Sequence, residues 1–160
     1  MIGKRQRQAQ GDAAEALFRA WLERCHLPHI YVEQSPFTFP SHLKGEIKRP
    51  DFLVGIPAIG SIAVDVKAKR IYDNCLLIDA EEHRTLATFE TCFSTAVWFA
   101  CFPPEEAHSC YLMLNREIAD LAPIRARGKA VLAVPLRRSL RCDHRRDFMA
   151  ALVQATRVRS

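Results

Sequence analysis

The chain reads as an α/β protein built as a three-layer α/β/α sandwich around a central mixed β-sheet. Three observations carry that expectation. Helix-like and strand-like stretches alternate, which calls for a sheet covered by helices on both sides. Two strand candidates are separated only by a turn at 57–60, as in an antiparallel hairpin. A further stretch, 96–102, is apolar throughout, as in a strand buried on both faces.

Taken in order, Ala14, Leu17, Phe18, Trp21, Leu22 and Cys25 recur at three- and four-residue steps and predict a helix over 8–25, ended by Pro28. Residues 29–32 are β-like. A polar loop follows, with Pro40 and the charged run Lys44-Gly45-Glu46-Ile47-Lys48-Arg49. Strands are expected at 51–56 and 61–70, then a loop around Asp73-Asn74. A helix over 80–92 has Leu86 and Phe89, then Phe93, on one side, and leads to the apolar strand at 96–102, which Pro103-Pro104 breaks. Beyond it the pattern predicts a strand at 110–114, a short helix at 116–121, a strand at 130–134, and a closing helix at 143–156 that buries Phe148, Met149 and Leu152. No repeat or linker interrupts the pattern. One domain over 1–160 is expected, with a core at 8–115 and a basic extension at 116–160.

At 160 residues the chain can bury one core, and with 49% apolar residues it belongs to the compact proteins. No apolar run is long enough to cross a bilayer. The basic start, Lys4-Arg5-Gln6-Arg7, runs into an amphipathic helix instead of a signal-peptide segment, so no membrane partner and a cytoplasmic location are expected. Six cysteines are scattered without a CxxC pair, as in reduced core thiols; Cys25-His26 and Cys142-Asp143-His144 alone make no zinc site. The net charge of +5 is uneven: from Arg125 onward ten Lys and Arg stand against Asp143 and Asp147, a balance suited to a polyanion. Arg138, Arg141 and Arg145 recur there at helix-like spacing.

The candidate site lies in the hairpin. Alternation in 62–68 puts Ile62, Val64, Val66 and Ala68 on one face and Ala63, Asp65 and Lys67, with Lys69 beyond, on the other. Asp65 and Lys67 are then side by side, roughly 7 Å apart along the strand, and the turn returns Asp51 to their neighbourhood. Charges on a strand flanked by apolar strands are costly unless they have a task. An exposed acid–lysine pair after a turn aspartate is the plain alternative. At about 100° per residue, Glu15 falls at the edge of the first helix's apolar stripe and can reach over the sheet rim, whereas Glu23 points to solvent.

Gly11-x-x-x-Glu15, Arg49-Pro50-Asp51-Phe52 and Val64-Asp65-Val66-Lys67 resemble the motifs of the PD-(D/E)xK nuclease superfamily, with its restriction-endonuclease-like fold (a core of order αβββαβ). Within it the chain looks most like archaeal-type Holliday junction resolvases. The likeness covers about 8–115; the basic C-terminal part has no counterpart, and His83 stands where many relatives have Gln. The resemblance implies that Asp51, Asp65, the Val66 carbonyl and Glu15 bind Mg²⁺, or Mn²⁺, and that Lys67 orients or activates the attacking water. It implies a DNA partner, and a homodimer by analogy with symmetric cutting. Lys44, Lys48, Arg49, Lys69 and Arg70 border the site and would meet phosphates. A nucleic-acid-binding or protein-interaction module that keeps the fold without cleaving is the other expectation.

Overall fold

The structure is a computed structural model and describes residues 3–35 and 38–157. Helix α1 (Lys4–Arg24) contains neither proline nor a β-branched residue. It ends in a left-handed His26 (φ 54°), with Leu27 N–H donating to the Leu22 carbonyl and His26 N–H to that of Glu23, a Schellman closure. Strands β1 (His29–Tyr31), β2 (Phe52–Ile56) and β3 (Gly60–Ala68) follow. Next come β4 (Ile71–Tyr72), β5 (Cys75–Asp79), α2 (Ala80–Phe93), β6 (Val97–Phe102) and β7 (Ser109–Leu114). The chain closes with β8 (Ile124–Ala126), β9 (Lys129–Pro135), β10 (Leu140–Asp143) and α3 (Phe148–Arg157).

The central sheet has the order β1-β2-β3-β6-β7-β10. Only the β3–β6 pairing is parallel, so the sheet is mixed, as expected. On one face α1 and α3 pack against Val64, Val66, Ala100 and Leu112. On the other, α2 and β5 and β9 of a second, four-stranded sheet (β4-β5-β9-β8) pack against Ala63, Val97, Phe99 and Met113. The fold is thus the α/β sandwich that the sequence predicts, with one difference: the third layer pairs its helix with a small sheet.

Of that second sheet, β9 is the strand expected at 130–134, while β4, β5 and β8 are not among the expected strands. The expected loop at Asp73-Asn74 is the turn of the β4–β5 hairpin, both residues having positive φ (46° and 58°), as a type I′ turn requires. Arg127 and Gly128 (φ 52° and 78°) do the same between β8 and β9. The closing helix starts later than expected, at Phe148, because 140–143 pairs with β7 as an edge strand. Arg138, Arg141 and Arg145 therefore share no helix face, and each is tied to a carboxylate: Asp120, Glu106 and Asp143 respectively. The expected helix at 116–121 is a 3-10 turn, Asn115–Ile118. Phe93 is exposed, and Met149 is only partly buried.

Phe18 joins the α1 layer to the sheet. It is fully buried, with its ring centroid 6.3 Å from that of Trp21, 5.3 Å from Phe52 and 5.7 Å from Phe148. Trp21 also donates from Nε1 to the Arg146 carbonyl at 2.7 Å, tying α1 to the segment before α3. All six cysteines are free thiols; Cys101 and Cys110 are buried and Cys92 is exposed. Phe18→Ala should cost about 3–5 kcal/mol of folding free energy in urea titrations. A loss below about 1 kcal/mol would contradict this account of the core.

Candidate active site

The hairpin brings the two aspartates together. Phe52 pairs with Val64, so Asp51, one residue outside the ladder, stands beside Asp65. Its N–H donates to the Val64 carbonyl at 3.1 Å, and its Oδ2 accepts the Val66 N–H at 2.7 Å. The Asp51 side chain thus takes a ladder bond that backbone would otherwise supply, which fixes it against β3. Asp65 is fully buried on a strand between β2 and β6. Burial, and then the Asp65 charge, push the Asp51 carboxyl up to about 7.

Two ammonium groups balance Asp65. Lys48 Nζ lies 2.9 Å from Oδ1, and Lys67 Nζ lies 2.8 Å from Oδ2. The Lys67 contact is an ion pair without good hydrogen-bond alignment, so Oδ2 keeps no aligned donor. Both lysines also meet Glu82 Oε1, each at 2.8 Å. Burial opposes the Lys67 charge, but Asp65 and Glu82 override it and hold the ammonium above its ordinary range. Glu82 is held down to about 2: burial works against its charge, and Lys67 and Lys48 outweigh it.

Glu82 was not singled out by sequence reasoning. Its position follows from the α2 cap: the Asp79 side chain accepts from the N–H groups of Glu81 (2.9 Å) and Glu82 (3.3 Å), which starts the helix at Ala80 and sets Glu82 in its first turn. The signal was present as an acidic helix start after Asp79. What the sequence lacked was the contact between that turn and β3.

The remaining expected residues are spread more widely. Glu15 is half-buried on α1, which packs on the Val64–Val66 face of the sheet. Burial first and Glu15 next raise the Tyr31 phenol above its ordinary range, and Asp51 adds to the effect. Lys48 lies inside the charge cluster instead of on an outer phosphate-facing loop. Arg49 stacks over Phe39 (4.9 Å) and donates to Thr38 and to the Ser35 carbonyl. Lys69 follows Lys67 on the same side, its ammonium pushed down by burial, which Glu82 only partly offsets. Lys44 and Arg70 are exposed. His83 accepts or donates at Nδ1 to Asn115 Oδ1 at 2.8 Å.

The donors suit a hard divalent cation. Asp51 and Asp65 are adjacent carboxylates, the Val66 carbonyl belongs to the same hairpin, and no thiol or imidazole enters the set. Asp65 Oδ2 is a buried oxygen without an aligned donor, and the Asp51 carboxyl is pushed up by burial and then by the Asp65 charge; a cation between them would relieve both. Among the described residues, however, no three His, Cys, Asp or Glu side chains gather where they could hold one metal ion.

No protein-family model matches the chain, and no curated protein matches it. Among solved structures, it is similar to Hjc, a Holliday junction resolvase from the archaeal hyperthermophile Archaeoglobus fulgidus. The TM-score is 0.53 at 18% identity, over 77% of this chain and 88% of that one. At that identity the likeness establishes the fold, and the fold is the resolvase-like one that the three motifs led us to expect. No helix among the described residues is long and apolar enough to cross a membrane.

The shifted Asp51 carboxyl has a consequence for stability. In the fold it titrates near 7, above its ordinary 3.8, so between these values the folded state holds a proton that the unfolded state has released. Its contribution to stability therefore falls as pH rises from about 4 to about 7 and stays low above. In chelator, Asp51→Asn, which keeps an acceptor for Val66 N–H, should raise the melting temperature at pH 8 by several degrees and leave it unchanged at pH 4. Equal melting temperatures at pH 8 would contradict the assignment.

Proposed function

We propose that this chain is a divalent-metal-dependent endonuclease that hydrolyses phosphodiester bonds in DNA, with branched or structured DNA as its substrate class. One observation carries the reading: on a resolvase-like fold, Asp51 and Asp65 are adjacent across the β2–β3 hairpin, and Lys67 stands 2.8 Å from the fully buried Asp65. The similar solved structure is itself a Holliday junction resolvase.

Asp51, Asp65, the Val66 carbonyl and Glu15 are the residues that would hold Mg²⁺, or Mn²⁺ in its place. When bound, such an ion lowers the pKa of water and offsets charge on the scissile phosphate. Glu15 is the outlying member, since it comes from α1, which packs on the Val64–Val66 face of the sheet. In the cation-free site Asp65 and Glu82 hold Lys67 as an ammonium, a hydrogen-bond donor suited to orienting water and neutralising phosphate. Lys44, Arg49, Lys69 and Arg70, together with Lys48, supply cations along the DNA backbone. A homodimer would present two such sites to a branch point. Six free thiols suit a reducing compartment, and we assign the protein to the cytoplasm.

One observation favours a second reading, a DNA-binding module without cleavage: Lys48 and Lys67 already neutralise Asp65. A panel of branched, linear duplex, single-stranded DNA and RNA substrates with Mg²⁺ or Mn²⁺ separates the two. The nuclease reading predicts cation-dependent cutting of DNA that Asp65→Asn and Lys67→Met each reduce by about a hundredfold or more, with melting curves showing both variants folded. Salt-sensitive binding with no cutting of any substrate would overturn it in favour of the binding module.

A further inference from the structure

Lys48 is not part of the motif that suggested the site, yet it contacts the same two carboxylates as Lys67 at nearly the same distances. Its ammonium bridges Asp65 Oδ1 at 2.9 Å and Glu82 Oε1 at 2.8 Å, so one carboxylate oxygen of the buried Asp65 is already matched to a cation. Lys67 matches the other. Asp65 and Glu82, two carboxylates, are thus matched one for one by two ammonium groups. Adding a divalent cation while both lysines stay would leave a large positive excess in a buried place, which is costly.

The two lysines differ in their freedom to leave. Lys67 belongs to β3 itself, two residues from Asp65, and its side chain is 15% exposed. Lys48 precedes β2, its side chain is 26% exposed, and it lines a cleft of about 460 Å³ together with Phe39, Ile47, Arg49, Glu82 and Thr85. Its backbone is pinned, the N–H donating to the Thr85 carbonyl at 3.2 Å, while its side chain has room to swing toward Arg49.

We propose that Lys48 is a built-in counter-ion that competes with a divalent cation for Asp65: cation binding requires its ammonium to leave Asp65 for the adjoining cleft, where it faces the DNA backbone. Lys48 is a positioning residue in this scheme. It keeps the cation-free site closed and electrically balanced, and it couples loading of the cation to the appearance of a positive charge in the cleft. The inference rests on the metal-dependent reading above, and the test below distinguishes failure of one from failure of the other.

Binding of Mn²⁺ alone, read by electron paramagnetic resonance of the free ion and by calorimetry, tests it without any DNA or turnover. Lys48→Met, which removes the charge and keeps the length of the stem, should bind Mn²⁺ about tenfold tighter or more than the natural chain. Lys48→Arg, which keeps a cation, should bind like the natural chain; a merely structural role for Lys48 would not separate the two variants by charge. Should Lys48→Met fold poorly in melting curves, Lys48→Gln carries the same expectation. Natural-chain binding that is unchanged or weakened in both uncharged variants overturns the counter-ion role and leaves the metal-dependent reading standing. Absence of Mn²⁺ binding in the natural chain and in the uncharged variants alike overturns the metal-dependent reading, and the inference with it.

Discussion

The site depends on one costly act, the burial of the Asp65 carboxylate in the middle of the central sheet. A buried, unpaired charge is destabilising by several kcal/mol, so a chain that places one there must surround it with compensating groups. Lys67 comes from the same strand, Lys48 from the segment before β2, and Glu82 from the first turn of α2. Glu82 holds both ammonium groups on one oxygen, which keeps them in place even though both are largely withdrawn from water. The compensation thus joins elements that are distant in sequence, and the packing of α2 on the sheet is what permits it.

Asp51 completes the arrangement by a different means. Its carboxyl substitutes for backbone in the β2–β3 ladder through the Val66 N–H, a bond that is indifferent to whether the other oxygen carries a proton. Burial and Asp65 together disfavour its ionisation. A site in which two adjacent carboxyls cannot both comfortably ionise is poised for a cation, and the same tension makes the cation-free protein less stable toward neutral pH. Function and stability pull against each other at this one pair.

The parts of the fold legible in the sequence were those set by local periodicity. The stripe of Phe18, Trp21 and Leu22, the alternation of Val64, Asp65, Val66 and Lys67, and the apolar run at 97–102 each announce their element and their buried face. The hairpin turn was short enough to fix the register, so the approach of Asp51 to Asp65 followed. Of the second sheet only β9 was legible: β4 has two residues and β8 three, and such lengths carry no period. Leu140 to Asp143 alternates with period two, yet only Asp143 of it falls in an expected element, the helix that follows; the true start is marked by Asp147, whose side chain accepts the Ala150 N–H at 2.8 Å and caps α3. Glu82 and the inward turn of Lys48 were invisible for another reason. Both depend on contact between segments 15 to 34 residues apart in the chain, which no local pattern encodes. Glu15 shows the limit of helix geometry: its position at the stripe edge was readable, but its electrostatic influence on Tyr31 was not.

The central claim is that Asp51 and Asp65 form a divalent-cation site. Crystals of the protein soaked in Mn²⁺ test it most directly, through an anomalous difference map collected with and without the ion. The account predicts one strong peak within coordination distance of carboxylate oxygens of both Asp51 and Asp65, at about 2–2.6 Å. A map with no peak there, while the two carboxylates keep the positions described above, would contradict it.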